Sequence, residues 1–431
     1  MNLWADFDDN SDVTLANTKQ APARRLSEQA ILAALRDWLL HDYAAAYCRS
    51  LAATRIFRRC YWVDALGTRG AAQPIAATQT PPSLMQDAPE PRSNKGRTKD
   101  AKQPVPPMLQ PVHILSQVLM SESKPITLQG LILEAGSGKR RAVKAEQNGH
   151  TVPAKAVAIP KEGGIVRAGW LEAAPALLQT IDQSAAIFLL QPFGRTIFSY
   201  EDLAALYTRT APTELCLLVS HKQVETSLIP SLHTPAGAAA FTALLRNDRW
   251  KVLLADNVEM ESMVTKLIDA LIGSMQQHFL AVQRIAVPMQ IGPALVELAP
   301  YTLIFATRRQ DSLALMNDAI CIYRRRLDEQ SHRGVLMENW FASQKEAHLT
   351  EQFQLLHERV LQAGRAQRLR RWPELRQRLL LADFGQYTIH DYDEIIGQLL
   401  HSGAVRCEWR QRVSGTEERR IPGNEDTLLW K

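Results

Sequence analysis

The stretch YWVDALGTRG places Asp64, Gly67 and Gly70 where an apolar run turns into a glycine loop. Glycines there let the backbone approach a bound molecule closely and take positive φ, and a carboxylate at a strand end accepts hydrogen bonds from a ligand. The same DxxGxxG pattern also serves a plain strand-to-helix turn, so by itself it leaves both readings open. Glu134, closing the run LQGLILE, is a second acid at a strand end. In Rossmann-like sheets such an acid takes ribose hydroxyls; an exposed glutamate of no particular function is the equal alternative. A third group is basic. GRAQRLRRWPELRQR holds Arg365, Arg368, Arg370, Arg371, Arg376 and Arg378 around Trp372, which suits phosphate contacts through guanidinium forks and is equally the pattern of a solvated helix face.

Other chemistries find no residues to carry them. The five cysteines are odd in number, far apart and without CxxC spacing, which argues against a disulfide framework or a zinc site, and they are expected reduced and mostly buried. The eleven histidines form no HExxH, so metal-assisted hydrolysis has no ligand set in the sequence. A formal charge of +5 over 431 residues creates no field that demands a polyanion, although a local basic patch remains able to bind one. The acidic start MNLWADFDDN is unlike a secretory signal, and no apolar run reaches the roughly 20 residues of a membrane span. A cytoplasmic protein is the expectation.

The elements that must position these groups follow from hydrophobic periodicity. Residues 1 to 24 are polar and aperiodic and read as a tail. Residues 27 to 54 carry apolar positions at helical spacing behind a capping Ser27, and FRRCYWVDAL (57 to 66) reads as the first buried strand. From about 72 to 110 the chain is rich in Pro, Gln, Ser and Lys, which predicts a disordered insertion, tolerable because loop-closure cost grows only logarithmically. A helix resumes at Pro111. Strand-like runs at 128–134, 154–160, 185–193 and 214–220 alternate with helical patterns, as in a parallel sheet covered on both faces. Two more, at 283–289 and 301–308, lie too close together for a crossover helix and should pair antiparallel at one edge. The last 85 or so residues read as a separate unit with helices near 349–363, 371–382 and 389–401. VRCEWRQRV and ERRIP then flank Ser414 and Gly415 as a hairpin. Three helices followed by a hairpin predict a winged-helix-like domain over 346–431, after a core domain over 25–345.

Several of these patterns together resemble the three-Cys-motif partner protein family. YWVDALGTRG is similar to that family's Tyr-x-Asp-x-Phe-Ala-Gly-Pro-Gly motif, QPFG (191–194) sits where the family has Asp-Pro-Phe-Gly, and YTLIFATRRQDSLALMNDAI (301–320) is similar to its closing strand and helix. The resemblance spans roughly residues 27 to 325 in scattered motifs. It implies an S-adenosylmethionine-dependent methyltransferase fold, a doubly wound Rossmann-like sheet with an antiparallel closing pair. Asp64, Gly67, Gly70 and Glu134 would then touch the cofactor, and Gln191 and Phe193 would stand at the catalytic loop. It also implies a partner protein resembling radical-SAM enzymes, which would carry the cysteines of the family's name.

This sequence departs from the family where chemistry is most demanding. Gly169-Trp170 replaces a Gly-Asp pair, which removes an adenine-contacting carboxylate; Trp170 would stack on a base or, more ordinarily, pack in the core. Gln191 replaces an aspartate that would face the target nitrogen, and its longer amide would shift near-attack geometry by about an ångström, worth ~10²-fold. The expectation is a methyltransferase-like protein with degraded catalytic features that acts as a nucleic-acid- or protein-binding component. The alternatives are a working methyltransferase on a nucleobase or other amine, and a pure protein-interaction module.

Overall fold

The computed structural model describes residues 28–67, 105–134, 157–194, 196–253, 260–290, 296–331, 338–367, 370–410 and 420–431. The N-terminal stretch assigned as a tail, most of the insertion and the hairpin tip around Ser414 lie outside these residues.

The first helical stretch is α1 (Glu28–Trp38), a π-helical segment (Leu39–Ala44) and α2 (Ala45–Ala53) in direct succession. It feeds β1 (Arg59–Asp64). After the insertion, Pro107–Leu109 form a single 3-10 turn and α3 runs over Gln110–Ser121. Residues 105–110 thus belong to the fold rather than to the insertion, because Leu109 is buried and Pro107 and Pro111 start helical turns where a missing amide costs nothing. There follow β2 (Thr127–Leu133), β3 (Gly164–Val166), α4 (Trp170–Thr180), β4 (Ala185–Leu190), α5 (Tyr200–Thr208) and β5 (Thr213–Ser220). The remainder of the core consists of α6 (His221–His233), α7 (Pro235–Leu245), α8 (Arg249–Leu253), α9 (Met260–Met275), β6 (Ala281–Gln290), β7 (Val296–Thr307) and α10 (Gln310–Ser331).

The seven strands form one sheet in the order β3-β2-β1-β4-β5-β7-β6. β1 pairs parallel with both β2 and β4, β2 with β3, and β4 with β5. β7 is antiparallel to both of its neighbours, so it alone runs against the rest, and the expected antiparallel pairing of the last two strands is present. Strand order reverses between β1 and β4, which puts the topological switch point at their carboxyl ends.

The third strand departs from the sequence reading. Residues 157–160 of the expected strand are irregular, and the strand is Gly164–Val166. The reason is local: Gly163 has φ 91°, and a Cβ there would lie 2.7 Å from the Gly130 carbonyl oxygen of β2. Only a glycine turn approaches β2 that closely, so pairing starts after it.

Alternation along the strands divides the core into two layers. Cys60, Trp62, Ile187, Leu189, Cys216 and Leu218 face the layer built by α1, α2, α3 and α10. Tyr61, Val63, Phe188, Leu190, Leu215 and Leu217 face the layer of α4, α5, α7 and α9. This is the burial on both faces that makes central strands read as unbroken apolar runs. Cys48, Cys60, Cys216 and Cys321 are buried and unpaired, and Cys407 is half-buried.

The C-terminal unit has its own core, with Trp372, Leu375, Tyr392, Ile395, Ile396 and Leu428. It consists of α11 (Glu338–Gln367), α12 (Trp372–Ala382), α13 (Ile389–His401) and an antiparallel ribbon of β8 (Val405–Glu408) and β9 (Thr427–Trp430). α11 is continuous across residues 345 and 346, where the sequence reading set its boundary. The second ribbon strand is Thr427–Trp430, and residues 420–422 of the stretch expected to supply it are irregular; 418 and 419 lie outside the described residues. Pro422 has no amide to donate to a ladder, and Gly423 to Asp426 close a turn through the Gly423 N–H on the Asp426 carboxylate. Asn317 on α10 ties this unit to the core: its amide donates to the Tyr387 carbonyl and accepts from the Gly385 N–H, both at 2.8 Å.

Candidate functional site

The carboxyl ends of β1, β4 and β5 converge at the switch point, where doubly wound sheets hold their ligands. Asp64 closes β1 beside Leu189 of β4, and the following amide, Ala65 N–H, donates to the Leu189 carbonyl. Gln191 and Gly194 lie just past β4, and Ser220 ends β5 where α6 begins. A cleft of about 390 Å³ opens here between α1, α6 and β7, lined among others by Glu28, Gly194, Ser220, Lys222, Gln223 and Tyr301.

Asp64, expected to act at this edge, is turned inward. Asp64 is 2% exposed, and Arg36 of α1 donates to it from Nε at 2.6 Å. The other carboxylate oxygen accepts the Leu66 N–H at 2.9 Å, and the Arg36 guanidinium also donates to the Gly67 carbonyl at 2.6 Å. One arginine thus closes the acid and the glycine turn into a single knot. Gly67 has the positive φ expected of it, 80°, and a Cβ at that position would meet open space. Gly70 lies outside the described residues. Glu134 follows β2, half-buried, and its N–H extends the pairing to β3 through the Val166 carbonyl.

Past β4, the Gln191 amide donates to the Gln223 side-chain oxygen at 2.6 Å. Phe193 is buried, its ring 5.9 Å from that of Phe241 on α7, which makes it a packing residue of the layer beneath the loop. Trp170 is buried at the start of α4, its ring N–H on the Asp202 carbonyl and its ring edge-on to Phe188. Its ordinary role, core packing, is the one the structure gives it. The cleft therefore offers amides and hydroxyls together with the charged Glu28 and Lys222. His221, the first residue of α6, has its ring nitrogen 2.8 Å from the Thr302 hydroxyl; burial first, and then Arg284, lower its pKa, so it is neutral at neutral pH.

The arginine group is divided by the structure. One guanidinium nitrogen of Arg376 donates to both oxygens of Asp393, at 2.6 and 2.7 Å, and the ring N–H of fully buried Trp372 shares the first of those oxygens. Arg365 donates to the Lys431 carbonyl at 2.6 Å. Arg370 and Arg371 are exposed at the start of α12, with Arg371 3.6 Å from Glu374. Arg368 lies outside the described residues.

Sequence reasoning missed Arg36, Gln223 and one buried acid. Glu214, the second residue of β5, is fully buried; the Tyr43 hydroxyl donates to one of its oxygens at 3.0 Å and the Thr307 hydroxyl to the other at 3.1 Å. Burial raises its pKa to about 7. Its signal was present in the sequence, since a lone acid inside the run TELCLLVS of a central strand has no solvent to face. Among the described residues, no group of three or more His, Cys, Asp or Glu side chains is placed to hold a metal ion, and no helix is long and apolar enough to cross a membrane.

The fold and the site define an open, doubly wound α/β protein with a helical unit and a ribbon appended. Comparison with protein-family models, with curated proteins and with solved structures finds no match to this chain.

Proposed function

We infer that this chain is a methyltransferase-like protein of the three-Cys-motif partner type, in which the ligand-facing groups of the strand ends serve the fold, and that it acts as a binding component rather than a methyl-transfer catalyst. One observation carries the reading: both oxygens of Asp64 are engaged by Arg36 and the Leu66 amide, inside the protein. The strand order, with a reversed strand between β5 and β6, supports the methyltransferase-like assignment of the sheet.

The residues present fit S-adenosylmethionine poorly. Gly67 leaves room for a ligand and Glu134 stands at the end of β2, but the acid of the first loop already has its donors. Titration calorimetry with S-adenosylmethionine and with its demethylated product on the full chain is expected to give no saturable heat. Methyl transfer to DNA or RNA that Gln191→Ala abolishes would overturn the reading in favour of a working methyltransferase.

Nucleic acid is the binding partner favoured by the exposure of Arg370 and Arg371 beside a helix start and a ribbon, an arrangement compatible with a winged helix. Phosphate contacts position without reading bases, so affinity should fall steeply with salt. Replacing both arginines by glutamine should lower the logarithmic salt slope on duplex DNA by roughly two. A chain with no salt-sensitive affinity for DNA or RNA would instead bind protein, such as a partner resembling radical-SAM enzymes.

A further inference from the structure

A small helical unit with a ribbon ordinarily meets a duplex through the helix before the ribbon, whose N-terminal residues reach base edges in the major groove. In this chain that helix is α13, because α11, α12, α13, β8 and β9 follow one another in that order. The Leu428 N–H of β9 donates to the Arg370 carbonyl at 2.7 Å, which lays the chain before α12 beside the ribbon. We propose that α13 stays out of the groove and that the C-terminal unit binds duplex nucleic acid on its sugar-phosphate backbone, through Arg406 of the ribbon with Arg370 and Arg371. The inference rests on the nucleic-acid reading above and fixes which surface of the unit serves it.

Three observations point there. The first is the place of the α13 N-terminus, which is packed against α10 of the core. The Ile389 N–H donates to the Asp318 carboxylate at 2.9 Å, beside the two bonds of Asn317 to Tyr387 and Gly385. Asp391, 4% exposed, accepts from the Arg325 guanidinium of α10 while it closes the capping box with Thr388. The end that would meet bases is thus inside a protein interface, and withdrawing it would strand buried polar groups without partners. The second is the exposed stripe of α13. His390, Glu394, Gln398 and His401 recur at helical spacing on one side, with no lysine or arginine and one acid among them. A groove walled by phosphates selects the reverse. The third is where exposed cations do stand. Arg406 on β8 lies directly opposite Leu429 of β9, and both are exposed, so they share the outer face of the ribbon. Arg370 and Arg371, also exposed, join it because the Arg370 carbonyl is bonded to the residue before Leu429. These arginines come from separate segments, so tertiary structure gathers them, which a single solvated helix face does not explain. Glu408 is on the same ribbon face and Glu374 lies 3.6 Å from Arg371, whereas among the described residues no acid pairs with Arg370 or Arg406.

The probe is a short labelled DNA duplex, read by fluorescence anisotropy with the full chain, beside the same duplex carrying glucosylated 5-hydroxymethylcytosine. Its sugars fill the major groove and leave the backbone unchanged. The two duplexes are expected to bind within about twofold of each other, with affinity falling steeply with salt. Arg406→Gln should lower the logarithmic salt slope by about one, and Arg370→Gln by about as much. His390→Ala combined with Gln398→Ala, which strips α13 of groups that would face bases, should leave affinity within about twofold, where a lost base contact costs about tenfold or more. All of these side chains are exposed, and circular dichroism establishes that each variant is folded. The proposal is overturned if glucosylation or the α13 variant weakens binding about tenfold, or if both arginine variants keep the parent slope. A parent chain with no salt-sensitive affinity for either duplex overturns the nucleic-acid reading itself, a result distinct from binding that runs through α13.

Discussion

Arg36 and Asp64 show how one side chain can decide what a sequence motif means. An acid after a strand and before a glycine is written the same way whether it greets a ligand or an arginine from the helix behind it, and only the tertiary contact separates the two. Arg36 stands among Leu32, Leu35 and Trp38, all buried, so its charge needs an internal partner. Removing it leaves a buried carboxylate without its counter-charge, which typically costs 3–5 kcal/mol. Arg36→Ala should therefore lower the urea midpoint strongly, and adding Asp64→Asn should recover a large part of the loss; a double variant no better than the single would show that the pair is not what is broken. Glu214 makes the opposite kind of statement. Its pKa is raised from 4.5 to about 7 by burial, so the native state holds a proton that the unfolded chain releases. The associated stability is complete below about pH 4.5 and is lost as pH rises through 7. Thermal unfolding at pH 5 and pH 8 should show this decline, and Glu214→Gln should flatten it, with its largest advantage at pH 8. The buried Tyr43, Tyr47 and Cys216 beside it stay neutral across that window, because burial raises each of their pKa values.

At the scale of elements, the long, strongly patterned segments were legible and the short ones were not. β1, β4 and β5 are continuous apolar runs buried on both faces, and such runs announce themselves. β3 has three residues, and its place is set by the approach of Gly163 to β2, a contact no local pattern encodes. β9 was hidden for a similar reason: ERRIP is the more obvious continuation of a hairpin, but Leu428 is the residue the core takes in, its N–H on the Arg370 carbonyl at 2.7 Å. The helix running on from residue 28 was legible as a whole, while its π-helical middle, which carries Tyr43 toward Glu214, was not. Trp372 tests the C-terminal unit. It is fully buried, and its ring N–H meets Asp393, so Trp372→Ala should cost about 3–5 kcal/mol and free Arg376 from a shared carboxylate. Guanidinium unfolding followed by tryptophan fluorescence should then show the C-terminal unit melting before the sheet; a single unshifted transition would mean that the tryptophan contributes little.

For the whole molecule, the sheet matters more than the path of the chain through it. β1 and β2 pair over six residues in register although residues 68–104 separate β1 from the next described segment, and β1 is held on its other side by β4. A specific protease site placed between residues 80 and 90 should therefore be cleavable with the two pieces still eluting together at unchanged circular dichroism. Separation of the pieces would contradict the central position of β1. The class of fold was readable from the alternation of strands and helices because that alternation is itself the architecture. The use of the strand-end groups was not readable, because Arg36, Gln191 and Gln223 are brought together only when α1, the loop after β4 and α6 are packed.

The reversed strand has a consequence for synthesis on the ribosome. β7 inserts between β5 and β6, both of which precede it in the chain, so a nascent protein that has emerged through residue 290 possesses neither of the ladders that flank β7. All eight residues of β5 are buried in the finished sheet. Until Val296–Thr307 leaves the exit tunnel, β5 presents an unpaired apolar edge, the surface on which unfinished chains pair with one another. The sheet is thus sealed from its interior outward by one of its last segments, and translation through β7 is the step after which premature release no longer leaves that edge bare.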